Sequence, residues 1–565
     1  FGAVDWSAHV YLNGRLLGHH IGGYDGFSFD VTSHLVGDEL PKKETAEEET
    51  EGEKAATAIS TTNEILVHVY DPSDDGHQPN GKQRLSAIDD CGGVTYTPSS
   101  GIWQTVWLEI VPDGDEERDD AHAHIADVHI DQSSTARVAV TVIAAYTMAG
   151  GLNGDAGGLT AKVEVMDNQD VIVSATELPG QVMNIPIPNA KLWSPSTPFL
   201  YDLRVTLLRD GQQREDGGTT RLGRAPKEDG SPVVLDIVLS YFGLRTFEAS
   251  PPNPPSDATL RPTLNGRPIF LAGVLDQSFW PDGLYSAPTD EALAYDVKLV
   301  PQLGMNLIRL HQKINPERWY YHADRTGVIV FQDLPQKYGR ATTNDTVPLF
   351  VKDMKAAIKG RGNHPSIVQW TIFNEQNCWE VFTEKPFDVP GMVELARSLD
   401  PARRLIDADS GGGANDLHVG DVDDVHTYPF PDNSHRPSMA QYSMVGEYGG
   451  LGILPMPEGT EWMPGKCYAY RQLKSSREYA AMYVGMAAQL EIMRDDEYLG
   501  LGAAVYTQTT DVECECDGLV NYDRSAKFTE EETEMIRRMN LRLTSWEYRD
   551  GGGGSTSGDA SRAIY

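Results

Sequence analysis

Between residues 269 and 506, short apolar runs return at intervals of about 25 to 40 residues, with helical or polar stretches between them. No other feature of the chain restricts its fold as much. The runs fall at 269–274, 305–309, 328–331, 367–373, 404–407, 422–428, 442–447 and 503–506. They are too short for confident helices and rich in β-formers, as expected of strands covered on both faces. Helices are predicted to intervene. Thr289 caps one that opens at Asp290-Glu291 and turns Leu293, Val297 and Val300 inward; others span Pro316 to Arg325 and Val347 to Gly360. Eight strands of this kind are enough to close a (β/α)8 TIM barrel.

The polar residues ending these strands are Asp276, Arg309, Asp333, Asn374 with Glu375, Asp407 with Asp409, His426 with Tyr428, Glu447, and Gln508 with Asp511. A barrel gathers such ends at one face, whatever their separation in sequence. A mouth lined this way suits a polyhydroxylated ligand. Two carboxylates there, Glu375 after the fourth strand and Glu447 after the seventh, could serve glycoside hydrolysis, retaining at a separation of about 5 to 5.5 Å and inverting when farther apart. Caps and ion pairs explain single acids, Asp409 and Asp511 among them, but they explain the whole ring poorly.

The first half of the chain reads as all-β. Val4, Trp6, Ala8, Val10 and Leu12 alternate toward one face before an Asn13-Gly14 hairpin signal. Further strands are expected at Arg15–His20, Phe27–Thr32, Ile65–Tyr70 and along Trp103 to Leu108, and cysteines should be free thiols. Residues 38–62 are a run of charge with almost no large apolar side chain, read as a disordered loop insertion. The expected architecture is therefore multidomain: an incomplete β jelly-roll over 1–111, an immunoglobulin-like β-sandwich over 112–247, a catalytic TIM barrel over 248–548 and a flexible tail over 549–565. Neither β domain offers a catalytic cluster by sequence.

A formal net charge of -36 opposes binding to nucleic acid or anionic membranes, and no apolar run is long enough to span a bilayer. The five cysteines form neither a disulfide framework nor a zinc set, and no cofactor or metal is expected. A homo-oligomer is compatible with the sequence. No signal peptide is visible, although Phe1 opens inside a strand.

Several motifs resemble glycoside hydrolase family 2, which includes β-galactosidases, β-glucuronidases and β-mannosidases. They are Val10-Tyr11-Leu12-Asn13-Gly14, Gly22-Gly23-Tyr24, Ser100-Gly101-Ile102-Trp103-Gln104-Thr105-Val106-Trp107, Leu192-Trp193-Ser194-Pro195, Leu264-Asn265-Gly266-Arg267-Pro268, Asn363-His364-Pro365-Ser366 and Gly446-Glu447-Tyr448-Gly449-Gly450. The resemblance implies a retaining exo-β-glycosidase acting on a carbohydrate substrate, β-galactosidase-like in first expectation. It implies Glu375 as acid/base, Glu447 as nucleophile and Asn374 on the sugar 2-hydroxyl. Tyr428 and Arg309 would attend Glu447, Asp276, Asp333 and His426 would line the site, and Trp280 or Trp379 would either offer a platform to a sugar ring or belong to the core. Departures from the family pattern are concentrated at Gly273-Val274-Leu275-Asp276-Gln277 and at Arg309-Leu310-His311-Gln312-Lys313, and the family's Asn-x-Lys signature for a carboxylate-bearing sugar is missing. The competing expectation is a catalytically silent sugar binder or truncated family member.

Overall fold

The computed structural model of the protein describes residues 1–36, 62–110, 122–147, 158–209, 231–250, 259–337, 342–375, 387–412, 419–433, 440–456, 460–496 and 498–545. Residues 38–61 of the acidic insertion, the tail, Cys378 and Trp379 lie outside them. Among the described residues no helix is long and apolar enough to cross a membrane.

The C-terminal half forms an eight-stranded sheet of parallel strands. In chain order these are β1 (Leu271–Asp276), β2 (Leu307–Leu310), β3 (Ile329–Asp333), β4 (Ile367–Asn374), β5 (Leu405–Ser410), β6 (Val422–Thr427), β7 (Tyr442–Gly449) and β8 (Leu501–Thr507). Ladders run from β5 through β4, β3, β2, β1, β8 and β7 to β6. The remaining seam, between β5 and β6, is stitched instead by Asp421: its N–H donates to the Ile406 carbonyl at 2.7 Å, and its carboxylate accepts from the Ile406 N–H at 2.8 Å. Every residue of β1 to β5, β7 and β8 is buried, which is why apolar side chains dominate these strands, with buried polar ones such as Arg309, Gln369 and Asp407 set among them. Helices α1 (Asp290–Gln302), α2 (Glu317–Thr326), α3 (Thr346–Arg361), α4 (Val389–Leu399), α5 (Ser476–Asp495) and α6 (Glu530–Thr544) cover the outside. Thr289 does cap α1, its side chain accepting from the Ala292 N–H at 3.1 Å.

The preceding residues make sandwich-type antiparallel sheets. One module pairs Ser7–Leu12 with both Arg15–Ile21 and Ile65–Tyr70. Its first hairpin turns at Asn13 (φ 51°) and Gly14 (φ 77°), the two left-handed positions of a type I′ turn. The alternation along Val4 to Leu12 holds, all five inward residues being buried, while Ile65, Leu66 and Tyr70 face outward and are more than half exposed. Two expected strands are not formed as such: residues 27–31 make no ladder beyond the hydrogen bonds Phe27 exchanges with Phe1, and after Gly101–Ile102 the backbone stays against Gly2 and Ala3 only as far as Thr105, leaving Trp107 and Leu108 exposed. Trp103 instead turns into the core shared with the barrel, beside Tyr24 and Tyr285. The other module packs a four-stranded sheet and a three-stranded sheet around its own apolar core of Val138, Val140, Val163, Leu203 and Val205.

The free-thiol expectation is overturned. Cys91 pairs with Cys514 and Cys467 with Cys516, with Cα atoms 5.9 and 5.7 Å apart. Partners separated by 423 and 49 residues leave no local spacing to read. The first bridge joins the N-terminal module to the loop after β8.

The Asn363-His364-Pro365-Ser366 motif is a clamp between the second module and the barrel. Asn363 accepts from the Ile130 N–H at 2.8 Å and donates to the Val128 carbonyl at 2.7 Å. The buried Arg245 donates to the Pro365 carbonyl at 2.6 Å and the Ile367 carbonyl at 2.5 Å, immediately before β4 delivers its polar end.

Candidate active site

Glu375 leaves β4 in the left-handed region (φ 56°), a conformation that costs a non-glycine residue energy and persists only when held. Here its N–H donates to the Ser410 carbonyl at 2.8 Å, and the preceding residue is held by Gln336, which takes the Asn374 N–H at 2.9 Å and donates to the Asn374 carbonyl at 3.0 Å. The Glu375 side chain is 43% exposed at the mouth, whereas that of Glu447 is 6% exposed.

Glu447 is aimed by a β-bulge. Val425 lies opposite Val445 but His426 lies opposite Glu447, so Gly446 is an extra residue in β7. The Gly446 N–H donates to Asp424 Oδ1 at 2.5 Å, and a Cβ at position 446 would stand 2.1 Å from Asp424 Oδ2. Only glycine fits there. The bulge turns Glu447 toward Arg309, whose Nη1 donates to Glu447 Oε1 at 3.3 Å and to the Gly446 carbonyl at 3.2 Å. The rest of the fully buried Arg309 is spent on Asp333, at 3.1 and 2.9 Å, and on Asn374 Oδ1 at 2.6 Å. Burial alone would lower the Arg309 pKa, but Asp333 and Glu447 raise it, so the guanidinium is a permanent cation. The Tyr428 hydroxyl donates to the other oxygen of Glu447 at 2.5 Å.

His426 stands between the two glutamates. Its Nδ1 is 3.1 Å from Glu375 Oε1 and 3.6 Å from Glu447 Oε2; its Nε2 is 2.9 Å from Ser410 Oγ, which donates to Asp424. Burial depresses its pKa, but the charges of Glu447 and Asp424 and the bond to Glu375 outweigh that and raise it, with Arg309 opposing. For Glu375, burial pushes the carboxyl up, but His426, with Lys82 and Arg309 behind it, holds it down at about 2. His311, 3.8 Å from Glu447 Oε1, is kept neutral first by burial and then by Lys82 and Arg309. One oxygen from each glutamate and one ring nitrogen of His426 lie within 4.8 Å of one another. A cation could fit that spacing, but it would occupy the lone pairs of both carboxylates, and the bond from His426 already accounts for the closeness.

Of the residues singled out by sequence, Arg309, Asp333, Asn374, Glu375, His426, Tyr428 and Glu447 come together at this mouth. Asp276 does not join them. Buried beside Asp296, Lys313 and Arg524, it accepts from the Ser278 N–H at 2.7 Å, and burial followed by Asp296 pushes its pKa to about 7. Trp280 is no platform either: it is buried with Lys313 Nζ and the Arg524 guanidinium 5.1 and 5.2 Å from its ring. Asp511 is an ion-pair partner, of Lys527 at 2.5 Å.

Sequence reasoning missed several contributors. Ser410 and Asp424 fix the imidazole and the bulge. Tyr470 stacks on Tyr428 with 3.6 Å between ring centroids. Lys82, from a module judged to offer nothing, lies within electrostatic reach of Glu375, His311 and Glu515, its neighbour Gly81 docked on the Gln336 carbonyl at 3.0 Å. A lone lysine in a loop has no local signature.

Two sandwich-type modules thus precede a parallel barrel whose mouth brings two carboxylates together, the pairing that glycoside hydrolysis uses. Family models for "Glycosyl hydrolases family 2" and "Glycosyl hydrolases family 2, TIM barrel domain" match residues 109–223 and 261–538, and the chain belongs to that family. A beta-galactosidase of Thermoanaerobacter pseudethanolicus is 25% identical over 443 residues, which is 76% of this chain and 47% of that protein. A Formosa agariphila protein with a provisional beta-glucuronidase name is 26% identical over 418 residues, 72% of this chain and 41% of that one. The chain thus spans less than half the length of these curated relatives. In fold it resembles a β-glucuronidase from Ruminococcus gnavus solved with D-glucuronic acid, at TM-score 0.63 and 17% identity, covering 95% of this chain and 84% of that one.

Proposed function

We propose that the protein is a retaining exo-β-glycosidase that cleaves terminal O-glycosidic bonds by double displacement. The observation supporting this reading is the closeness of Glu375 and Glu447, with oxygens within 4.8 Å, on the retaining side of the distinction between about 5 to 5.5 Å and about 6.5 to 9.5 Å.

In the first half-reaction Glu447 attacks the anomeric carbon while Glu375 gives a proton to the departing oxygen. Tyr428 and Arg309 hold the two oxygens of Glu447 in position, and Arg309 also donates to Asn374, which would bond the sugar 2-hydroxyl. In the second half-reaction Glu375 removes a proton from water, which attacks the glycosyl ester, and Glu447 leaves as a carboxylate accepting from Tyr428. A β-D-galactoside is the first substrate to try. A β-D-uronide is the second, favoured by Lys82, a cation beside the mouth supplied from outside the barrel.

Chromogenic β-glycosides of galactose, glucuronic acid, galacturonic acid, glucose and mannose test the reading. Release from at least one by wild type, with loss of about 10³-fold or more in Glu447→Gln, is expected. Equal inactivity of both proteins on every sugar, alongside binding of one sugar by wild type, would identify a silent binder instead.

A further inference from the structure

A general acid needs a proton, yet Glu375 faces three positive groups, and its surroundings favour the carboxylate. The hydrogen bonds around His426 indicate where the proton is kept. The Ser410 hydroxyl gives its hydrogen to Asp424, so its lone pairs face His426 Nε2 at 2.9 Å and take an N–H from it. Nδ1 then points at Glu375 Oε1 across 3.1 Å, and that approach is attractive only with one proton between them, on either atom. Gly411 lies against the imidazole, so close that a Cβ there would stand 2.3 Å from it. Glu375, Glu447 and Asp424 favour the imidazolium, Arg309 at 3.3 Å from Nε2 opposes it, and His311 is neutral.

We propose that the proton Glu375 delivers to the leaving group is stored on His426 Nδ1 in the resting site, making His426 the residue that positions the acid's proton. This rests on the retaining reading above. The step balances. As Glu447 forms its bond to the anomeric carbon it loses the negative charge lying 3.6 Å from Nδ1, which weakens the hold of the ring on its proton. The N–H bond breaks, the proton passes to Glu375 and on to the glycosidic oxygen, and that oxygen leaves with the electron pair of its bond to carbon. His426 is then neutral and Glu375 a carboxylate, the states needed for base catalysis. Water gives a proton to Glu375 and its oxygen to the anomeric carbon. The ester electrons return to Glu447, and the restored charge draws the proton back to Nδ1. Attack and proton release are thereby coupled through one ring.

His426→Asn tests this, because an amide nitrogen near the Nδ1 position can still donate to Glu375 but cannot deliver a proton. With methyl β-D-galactoside or methyl β-D-glucuronide, whichever sugar wild type accepts, kcat/KM should fall about 10²-fold, and the alkaline limb of its pH profile should move down by about one unit or more. With the matching 2,4-dinitrophenyl glycoside, whose leaving group needs no proton, the loss should stay below about fivefold. Equal loss on both aglycones, or an unmoved alkaline limb, overturns the proposal while leaving the glycosidase reading intact; failure of wild type on every aglycone overturns that reading instead. A measurement independent of turnover is the ¹⁵N-detected titration of the His426 ring in the resting protein. It should show a midpoint above the ordinary histidine range that falls in Glu375→Gln, and an ordinary or lower midpoint contradicts the proposal.

Discussion

The Tyr428 hydroxyl donates to Glu447 Oε2 at 2.5 Å, on the carboxylate oxygen not taken by Arg309. The bond is available while Glu447 is a carboxylate and weakened while it is an ester, so it favours breakdown of the glycosyl intermediate. A hydrogen bond to a charged group is worth about 1.5–3 kcal/mol, so Tyr428→Phe should lower kcat roughly 10- to 100-fold. KM should fall with it, because the intermediate accumulates. Stopped-flow release of a chromogenic aglycone should show a burst; a proportional loss without one would place the role of Tyr428 elsewhere.

Gly446 tests the bulge. In Gly446→Ala the new methyl meets Asp424, whose carboxylate already holds the Gly446 N–H and the Ser410 hydroxyl. Relief requires β7 to shift, turning Glu447 out of line with Glu375. We expect a stability loss of about 1–3 kcal/mol in urea unfolding and an activity loss of at least about 10²-fold. Full activity in this variant would show that the bulge does not aim the nucleophile.

Much of this was legible in the sequence, for a physical reason. Strands buried on both faces are mostly apolar, so β4 and β7 announced themselves and brought Glu375 and Glu447 with them. What stayed hidden depends on distance in sequence. Nothing near Tyr428 points to Tyr470, nothing near Glu375 to Lys82, and nothing near Cys91 to Cys514. Trp280 shows the converse, two readings that only the structure separates. An aromatic beside a barrel strand suits a sugar platform, but with Lys313 and Arg524 against its ring it belongs to the core.

The clamp beneath β4 gives a pH dependence of stability. His364 donates toward Asp324 and Glu317 at 2.6 and 2.7 Å; burial lowers its pKa, but the two acids raise it from 6.5 to about 9. A group whose pKa is raised by folding contributes fully below its unfolded value. This contribution, on the order of 3 kcal/mol, is therefore present below pH 6.5 and lost as pH rises through about 9. Urea unfolding at pH 6 and pH 10 should show that loss in wild type and a flatter profile in His364→Gln. Parallel profiles would mean that another group governs the interval.

The two disulfides make a prediction by mass. Peptide mapping without reductant should recover Cys91 linked to Cys514 and Cys467 linked to Cys516. Reduction should cost about 2–4 kcal/mol of stability and lower kcat, because Cys467 lies in the segment that carries Tyr470 to Tyr428. The exchanged pairing, or free thiols at these four positions, would contradict the fold of this loop cluster.

The account depends on two glutamates close enough for one to attack the anomeric carbon while the other protonates the leaving oxygen. Proton NMR of the first sugar released from a β-glycoside, recorded before mutarotation, tests this most directly. Retention gives the β-anomer as the initial product, as the closeness of Glu375 and Glu447 predicts; initial release of the α-anomer would contradict it.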